Sequence, residues 1–399
     1  MPTSPTDVYY DPYDYDIDAN PHPIWRKMRD DHPLYYNDKF DFYALTRFAD
    51  VKAASVDWRS YSSHHGSVLE MLRLPKEVLD QVRNMLFEDP PWHDLHRSIL
   101  ARVFTPRRIG ALEPKIRELC GQFLDPHVGG SGFDYVQALA SKLPMYVISG
   151  LLGIPEKDWE TIRHLADAGV HRDEGETDFN VSAQLEMQRY FAEYAAFRRE
   201  NPVDDLMTDL IQATFEDENG VTRGLTDNEL LNYMGLVAAA GNETVTNLVG
   251  WTAHALAAFP DQRERLHKEP ELIPNAIEEM LRFEAPSPVQ ARLVTKDVEW
   301  HGETVPAGSA ILLLTASAGR DDREYENPDA VDVGRKFETH VTFGYGIHFC
   351  LGAALARLEG RVALEETLKR FPTWDIDHAN AEMIHTSTVR GWAKLPITL

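Results

Sequence analysis

The sequence predicts a mainly α-helical protein with a minor β component. The strongest signal is a capping-box pattern, Thr226-Asp-Asn-Glu229, followed by a helix-compatible stretch that contains no proline until after Phe259. Two short regions, near residues 40–50 and 294–314, have the alternating character of strands. Most of the remaining chain has helical patterns, so helices should outweigh strands.

The helix predicted between Thr226 and Phe259 is unusually long. About 30 residues at 1.5 Å per residue span roughly 50 Å, whereas an average helix has about 11–12 residues. A helix of this length has to pass through the centre of a globular protein. Gly241, within Ala239-Ala-Gly-Asn-Glu-Thr244, weakens the helix, and we predict a local bulge there that opens room above it.

The two strand regions predict a small β part beside the helices. Phe40-Asp-Phe-Tyr-Ala-Leu-Thr46 should be extended. The region 294–314 is interrupted by Val305-Pro-Ala-Gly-Ser309, whose proline and glycine predict a hairpin turn. No internal repeat, low-complexity tract or Gly/Ser linker divides the chain, so residues 1–399 are predicted to form a single domain.

Composition excludes several classes of protein. A hydrophobic content of 43% excludes a disordered chain, and a formal net charge of -24 would repel nucleic acid. Only Cys120 and Cys350 are present, so a disulfide framework is excluded and a reducing compartment fits. The N-terminus lacks signal-peptide features, and the apolar runs are too short to span a bilayer. We therefore expect a cytoplasmic protein without a membrane span.

The most informative motif surrounds Cys350. A glycine-rich turn, Phe343-Gly-Tyr-Gly-Ile-His-Phe349, leads into an apolar stripe at helical spacing that includes Leu355 and Val362. Cys350 is therefore predicted at a helix N-terminus, where free N–H groups and the helix dipole stabilise a thiolate. Gly346 and Gly352 would let the backbone approach a flat ligand closely. The alternatives are an inert buried cysteine and a thiolate ligand of haem iron.

This segment resembles the haem-binding loop of the cytochromes P-450, whose pattern is Phe-x-x-Gly-x-His/Arg-x-Cys-x-Gly. Each fixed position is matched, by Phe343, Gly346, His348, Cys350 and Gly352. The resemblance implies the cytochrome P-450 fold, with a helix-rich lobe around a long central helix and a small β-rich lobe. It also implies haem b as the cofactor, with Cys350 as the ligand of its iron.

A second match lies in the predicted central helix. The family pattern Ala-Gly-x-Glu/Asp-Thr is met by Ala240, Gly241, Glu243 and Thr244, although the second threonine often found after it is Val245 here. In the family this stretch crosses the haem face opposite the cysteine. The resemblance therefore places Ala240 against the haem and gives Glu243 and Thr244 a catalytic role in proton delivery to dioxygen. The alternative is a Glu-Thr pair on an exposed helical face.

Glu279 and Arg282 match the family pattern Glu-x-x-Arg. Residues three apart lie on one face of a helix and can pair, and an exposed pair would contribute little to stability. In the family the pair is buried and is joined by a downstream arginine, for which the resemblance nominates Arg335. The phenylalanine usual near that arginine is Val331 here. The implied role is structural, in holding the cysteine loop.

Haem carries two propionates, which require basic or hydrogen-bonding side chains along one edge. The resemblance nominates His93, Arg97, Arg292 and His340, and His348 could also reach a propionate. His93 and Arg97 are four residues apart, so they share one helical face. For each of them the alternative is an ordinary surface residue.

Together, these matches imply a haem-thiolate monooxygenase that uses dioxygen to hydroxylate a mostly apolar small molecule. No flavin or iron–sulfur segment is recognisable, so the expected electron donors are a separate ferredoxin and its NAD(P)H-dependent reductase. The protein is expected to be a monomer. A peroxide-driven peroxygenase and a non-enzymatic haem sensor or carrier are the alternatives. The pair Glu243 and Thr244 argues against both, since neither function needs this acid and alcohol.

By analogy with the family, substrate contacts are expected from several separated segments. Ala239 and Ala240 are small and leave volume above the iron. The expected classes are fatty acids, terpenoids, steroids and aromatic compounds, with polyketides and peptides as further possibilities. The contacting positions are residues 62–87, residues 165–179, Val237, Ala240, residues 286–290 and residues 386–388.

Overall fold

The computed structural model describes residues 8–81, 84–170, 181–217, 219–336, 338–386 and 389–399. Helices dominate these residues, which confirms the predicted mainly α architecture with a minor β part. The α-helices are α1 Tyr15–Ala19, α2 His22–Asp31, α3 Phe48–Val56, α4 Lys76–Leu79, α5 Trp92–Ala101, α6 Pro106–Gly110, α7 Glu113–Leu124, α8 Lys142–Leu152, α9 Trp159–Val170, α10 Val181–Glu200, α11 Leu206–Gln212, α12 Asp227–Ala258, α13 Pro260–Lys268, α14 Ile273–Phe283, α15 Thr315–Ala318 and α16 Ala353–Arg370.

The strands are short and fall into one main sheet and several small ones. The strands are β1 Leu34–Asn37, β2 Phe42–Leu45, β3 Tyr61–Ser62, β4 Gly132–Asp134, β5 Thr214–Glu216, β6 Thr222–Gly224, β7 Gln290–Val294, β8 Val298–Trp300, β9 Glu303–Val305, β10 Ala310–Leu313, β11 Asp375–Ile376, β12 Glu382–Met383, β13 Trp392–Lys394 and β14 Pro396–Thr398. The main sheet has the order β1-β2-β10-β7-β3.

Both predicted strand regions contribute a strand to the main sheet, and the second region also contains the separate pair β8 and β9. The extended segment near residue 42 is confirmed as β2, in which Phe42, Ala44 and Leu45 are fully buried. β10 pairs with β2 in parallel, with Leu312 opposite Ala44, and with β7 in antiparallel orientation. The sheet therefore joins the N-terminal part of the chain to the segment that follows α14.

The hairpin turn predicted at residues 305–309 is misplaced. β8 and β9 form the hairpin, and its two-residue tip is His301-Gly302. Both tip residues have positive φ, 53° and 84°, which suits a tight turn of the I′ type. Residues 306–309 link β9 to β10 instead, and the N–H of Gly308 donates to the carbonyl of Val294 at 2.7 Å. The proline and glycine of residues 306–309 indicated a turn, but they did not show that the hairpin itself is closed at His301-Gly302.

The long central helix is confirmed as α12, which has 32 residues. Its capping box is complete: Thr226 Oγ1 accepts from the N–H of Glu229, and Glu229 Oε2 accepts from the N–H of Thr226 at 2.7 Å. The helix ends just before Pro260, which cannot continue the hydrogen-bond pattern. α12 packs against α8, α10, α14 and α16, so it runs through the main apolar core.

The predicted bulge at Gly241 is wrong, because α12 is continuous through this residue. A Cβ added to Gly241 would lie only 2.6 Å from Cγ1 of Ile148 in α8. Gly241 therefore allows α8 and α12 to approach closely, and this contact was not visible in the sequence. Among the described residues, no helix combines the length and apolar character needed to cross a membrane.

Candidate active site

Cys350 lies at the end of a tight loop in front of α16, which confirms the helix predicted after it. The N–H of Cys350 donates to the carbonyl of Phe343 at 2.8 Å and closes the loop. Gly344 and Gly346 have φ values of 71° and 74°, which favour glycine. A Cβ on Gly346 would lie 2.7 Å from the carbonyl oxygen of Ser55 in α3. Close contact with α3 therefore requires glycine at this position.

The thiol of Cys350 is half-buried among hydrogen-bond donors. Gly352 is the N-cap of α16, and the N–H groups of Gly352 and Ala353 donate to Sγ. Burial raises the pKa of the Cys350 thiol, while these donors and the guanidinium groups of Arg97 and Arg357 oppose that rise. The net direction is upward, so a thiolate at this position needs a further positive charge beside it.

A cluster of basic residues, His93, Arg97, Arg292 and His348, lies next to the cysteine loop. The rings of His93 and His348 meet edge to face with centroids 4.5 Å apart. Arg97, from α5, donates through Nη2 to the carbonyl of Phe349 at 2.6 Å. Arg292, from β7, is buried, and its charge lies close enough to His348 to lower the pKa of that residue. Three separate parts of the chain thus converge here.

The electrostatics of this basic cluster favour an anion. Burial lowers the pKa of His348 to about 2, and Arg292, His93 and Arg97 act in the same direction. Burial also lowers the pKa of Arg292 to about 10. Within the described part of the chain, Nε2 of His93 and Nε2 of His348 are buried and have no hydrogen-bond partner. Buried polar atoms are normally paired, so an acceptor group fits between these rings.

His340 does not join the basic cluster. Its Nε2 lies 3.2 Å from Glu278 Oε2, and its Nδ1 accepts from the N–H of Thr342 at 3.3 Å. Both ring nitrogens are therefore engaged by protein groups, and the expectation that His340 reaches a propionate has to be corrected. The reason is Glu278 in α14, a partner that the local sequence around His340 does not reveal.

Arg357 is a residue near the cysteine that the sequence reading missed. Its Nε and Nη2 donate to the two carboxylate oxygens of Glu278 at 2.6 and 2.8 Å. The guanidinium also lies over the ring of Phe343, 4.5 Å from its centroid. Burial opposes ionisation of Glu278, but Arg357 and His340 lower its pKa to about 2. The spacing of seven residues from Cys350, two helical turns, was the signal that could have identified Arg357.

Glu279, Arg282 and Arg335 form a buried ionic triad. Arg282 Nε and Nη2 donate to the Glu279 carboxylate at 2.7 and 2.8 Å, and Arg335 Nε donates to it at 3.0 Å. Glu279 and Arg282 are completely buried. Arg282 Nη1 also donates to the carbonyls of Gly319 and Pro328. The triad thus fixes the segment around residues 319–335, which leads towards the cysteine loop.

The predicted motif in α12 lies at an accessible face of that helix. Ala240 is exposed and Glu243 and Thr244 are half-buried, whereas Val237 and Val245 are buried. Thr244 Oγ1 donates to the carbonyl of Ala240 at 2.8 Å. Since Ala240 and Thr244 are one turn apart, they form a common small and polar surface at the middle of the central helix.

Comparison with known proteins identifies the family. The family model named Cytochrome P450 matches residues 180–396. The chain is also 39% identical to "Putative cytochrome P450 123" of Mycobacterium tuberculosis, over 98% of this chain and 97% of that protein. The chain belongs to the cytochrome P-450 family. It is 34% identical to the vitamin D(3) 25-hydroxylase of Pseudonocardia autotrophica, over 95% of this chain and 94% of that protein.

The fold agrees with this membership. The solved structure of the bacillaene polyketide synthase cytochrome P450 PksS from Bacillus subtilis superposes with a TM-score of 0.88, at 32% identity, and covers 98% of this chain and 100% of that one. The predicted cytochrome P-450 fold is therefore confirmed. As a member of this family the protein is a haem-dependent monooxygenase of the oxidoreductase class.

The residues present in this cytochrome P-450 fit a haem. Cys350 presents a soft sulfur ligand that requires a neighbouring positive charge. The unpartnered ring nitrogens of His93 and His348, with Arg97 and Arg292 beside them, suit the two propionates. The accessible surface at Ala240 suits a flat group against the central helix.

The segments expected to contact substrate are described in part. Residues 82–83, 171–179 and 387–388 lie outside the described residues. Residues 165–170 belong to α9, and Val237 is buried in α12. Val68, Leu69 and Leu79 of the segment 62–87 are buried apolar residues. Thr386 Oγ1 donates to the carbonyl of Val389 at 2.9 Å and accepts from its N–H at 3.0 Å, so these two residues are held together.

Proposed function

We propose that this cytochrome P-450 hydroxylates a mostly apolar organic molecule, and that Cys350 would bind the iron of haem b. The observation that carries the proposal is that Cys350 Sγ accepts hydrogen bonds from two backbone N–H groups at the start of α16. When bound, the haem supplies the chemistry that activates dioxygen. The N–H donors and Arg97 and Arg357 stabilise negative charge on Sγ, and Phe343 and Gly352 shape the loop that presents it.

His93, Arg97, Arg292 and His348 are proposed to hold the propionates. Two of their ring nitrogens are buried without a hydrogen-bond partner among the residues that the structure describes, and the two arginines contribute charge in a desolvated site. Burial strengthens such charge-assisted hydrogen bonds, because water does not compete for the donors. Loss of either arginine should therefore weaken haem retention.

Glu279, Arg282 and Arg335 are proposed to act as a structural fastening of the cysteine loop. Their charges compensate one another in a site that excludes water. The triad stabilises the position of the loop, and none of its members needs to touch the substrate. Gly346 contributes in the same way, by letting the loop pack on α3.

Thr244 and Glu243 are proposed to deliver protons on the accessible face of α12. Thr244 Oγ1 uses its own hydrogen in the bond to Ala240, so its lone pairs can accept a hydrogen bond from a water molecule. That water is then oriented beside Ala240 with its second hydrogen available for donation. Glu243, half-buried on the next position of the helix, can take up protons from solvent and pass them to this water.

The substrate class is proposed from the names of two relatives, and the electron donors from the resemblance to the family. One relative is named for vitamin D(3) and another for polyketide biosynthesis, which favours steroid-like and polyketide molecules among the apolar classes. The expected electron source is a ferredoxin with its NAD(P)H-dependent reductase. We propose that residues 1–399 act as one monomeric unit in the cytoplasm.

The assignment of Cys350 is tested by carbon monoxide difference spectra of the reduced protein. The wild type should show the long-wavelength band typical of thiolate-ligated haem, and Cys350→Ser should lose it. Cys120→Ser is the matched control, because Cys120 is a buried cysteine of α7 whose pKa burial raises to about 12. A normal band in Cys350→Ser, or its loss in Cys120→Ser, would refute the assignment.

Proton delivery is tested by the coupling of NAD(P)H use to product. Thr244→Ala should retain haem and substrate binding but release hydrogen peroxide in place of product, and Glu243→Gln should slow oxygen consumption. Thr246→Ala is the control, since Thr246 donates to the carbonyl of Asn242 in the same way at 3.0 Å. Normal coupling in Thr244→Ala would show that another group positions the water. Turnover with peroxide alone, but not with reductant and oxygen, would favour a peroxygenase.

A further inference from the structure

Glu284, at the C-terminal end of α14, gathers three cationic or potentially cationic side chains in a buried site. Its Oε1 accepts from Arg320 Nη2 at 2.5 Å and lies 3.0 Å from His22 Nε2, and its Oε2 accepts from Arg390 Nη1 at 2.7 Å. Glu284, Arg320 and Arg390 are each less than a tenth exposed. Neither the sequence motifs nor the proposed proton delivery uses this cluster.

Arg390 connects this carboxylate to the N-terminal helix. Its Nε donates to the carbonyl of Asp18 at 2.7 Å and its Nη2 to the carbonyl of Ala19 at 2.8 Å, at the C-terminal end of α1. The last turn of a helix leaves carbonyls without intrahelical partners, and a guanidinium can donate hydrogen bonds to several of them. One side chain therefore caps α1 and pairs with Glu284 at the same time.

The backbone of Arg390 joins two further elements. Its N–H donates to the carbonyl of Pro286 at 2.9 Å, and its carbonyl accepts from Trp251 Nε1 of the central helix at 2.9 Å. The guanidinium lies over the Trp251 ring, 4.6 Å from the centroid. Arg390 thus fixes the spacing between α1, α12 and the segment that begins at Pro286.

A second tie holds α1 to the same strip of chain. The ring of Tyr15 stacks on His385 with centroids 3.5 Å apart and planes within 6°. His385 Nδ1 also lies 3.3 Å from Asp18 Oδ2. His385 directly precedes Thr386 and Arg390 directly follows Val389, so the N-terminal helix is tied to the chain next to both of these residues.

A cavity lies between these fastened parts. Its walls come from the N-terminal segment, from residues 67–70, from residues 288–289 and from the two ends of the 386–389 turn, and they are mainly apolar. Representative lining residues are Tyr10, Ile17, Val68, Val289, Thr386 and Val389. Three of these four walls are segments assigned to substrate contact, so the fourth, the N-terminal segment, borders the same region.

We infer that α1 forms the outer wall of the substrate pocket, and that Arg390 is a positioning residue that sets substrate specificity by latching this wall through Glu284. The inference rests on the proposed function. Arg390 contacts no reacting atom; it acts by holding the chain next to Val389, the segment that begins at Pro286 and α1 at a fixed separation. The far end of a long apolar ligand is the part that this wall should select.

The test uses N-alkylimidazoles of increasing chain length, which bind the haem iron through nitrogen and extend their chain into the pocket. In the wild type, affinity measured from the spectral shift should rise from imidazole to N-dodecylimidazole. In Arg390→Lys and in His385→Ala, the affinity for the dodecyl compound should fall about tenfold or more, with that for imidazole unchanged. Arg320→Lys is the control, since Arg320 donates to Phe283 and Glu284 and not to α1.

Hydrogen exchange gives a second readout on the same haem-loaded proteins. Amides of residues 8–25 should exchange faster in Arg390→Lys and His385→Ala than in the wild type and in Arg320→Lys. Equal losses of affinity for imidazole and for the dodecyl compound would overturn the inference. It would also be overturned if neither affinity fell although the amides of residues 8–25 exchanged faster. Absence of haem or of the thiolate carbon monoxide band in the wild type would instead refute the proposed function, so the two failures are distinguishable.

Discussion

Two buried carboxylates in the C-terminal part of α14, Glu279 within the helix and Glu284 at its C-cap, are each compensated by cationic side chains, but by very different ones. Glu279 is paired with Arg282 and Arg335, and the N–H of Asp332 also donates to it. Glu284, five residues later, is paired with residues as distant in the sequence as His22 and Arg390. The first cluster is proposed to support the cysteine loop, and the second to hold the proposed wall of the substrate pocket.

A third buried carboxylate shows what these partners contribute. Glu359 in α16 is completely buried, and in the described residues neither of its oxygens has a hydrogen-bond partner. Burial raises its pKa well above the ordinary value, whereas burial is overcome at Glu284, where His22, Arg390 and Arg320 lower the pKa. The comparison shows that cationic partners offset the effect of burial on the pKa of Glu284, and that Glu359 has no such partner among the described residues.

The largest effect should come from breaking the ionic triad of Glu279, Arg282 and Arg335. Arg282→Ala leaves Glu279 as a buried charge with one partner fewer, and breaking such a pair costs about 3–5 kcal/mol. The variant should fail to accumulate as haem-loaded protein, measured by haem content and by urea unfolding. Lys268→Ala is the control, because its bridge to Glu264 is exposed and should be worth about 0–1 kcal/mol. Full haem occupancy in Arg282→Ala would contradict the structural role of the triad.

A gain in stability is expected from removing the unpaired carboxyl. Glu359→Met should raise the free energy of unfolding at pH 7 by about 1–3 kcal/mol, the cost of an unsatisfied buried polar group. The folded-state pKa is raised, so wild-type stability falls as pH rises above 4.5, where the unfolded chain ionises first. The gain should therefore shrink below pH 4.5.

Glu366 provides the matched control for Glu359 on the same helix. It is also buried but is paired with Arg117 and Arg370 at 2.7 and 2.5 Å. Glu366→Met should destabilise the protein at pH 7, opposite in sign to Glu359→Met. The same sign for both substitutions would mean that the arginines do not decide the outcome.

The smallest effect concerns the loss of folding stability in acid, which we expect from His22 beside Glu284. Burial lowers the pKa of His22 in the folded state, although Glu284 opposes this. The unfolded chain then binds more protons, so stability is lost as pH falls below about 6.5. His22→Gln should reduce the slope of unfolding free energy against pH between 7 and 5 by up to about 1.4 kcal/mol per pH unit. An unchanged slope would show that His22 does not titrate differently on folding.

The sequence by itself determined the elements whose signals are local. The capping box at Thr226 predicted the start of α12, because its two hydrogen bonds join residues three apart. The positions of Glu279 and Arg282 on one helical turn predicted their pairing for the same reason. The cysteine loop was recognisable because glycines with left-handed backbone and the first turn of a helix are contiguous along the chain.

Only the tertiary structure decided which groups meet across elements. Gly241 was expected to open the helix, but its neighbour is Ile148 of α8. His340 was expected at the haem edge, but Glu278 of α14 holds it. Spacing along a helix fixes which side chains share a face, whereas the facing partner depends on how whole helices and sheets pack. For the same reason, no local pattern could have shown that Arg390 closes the chain onto α1.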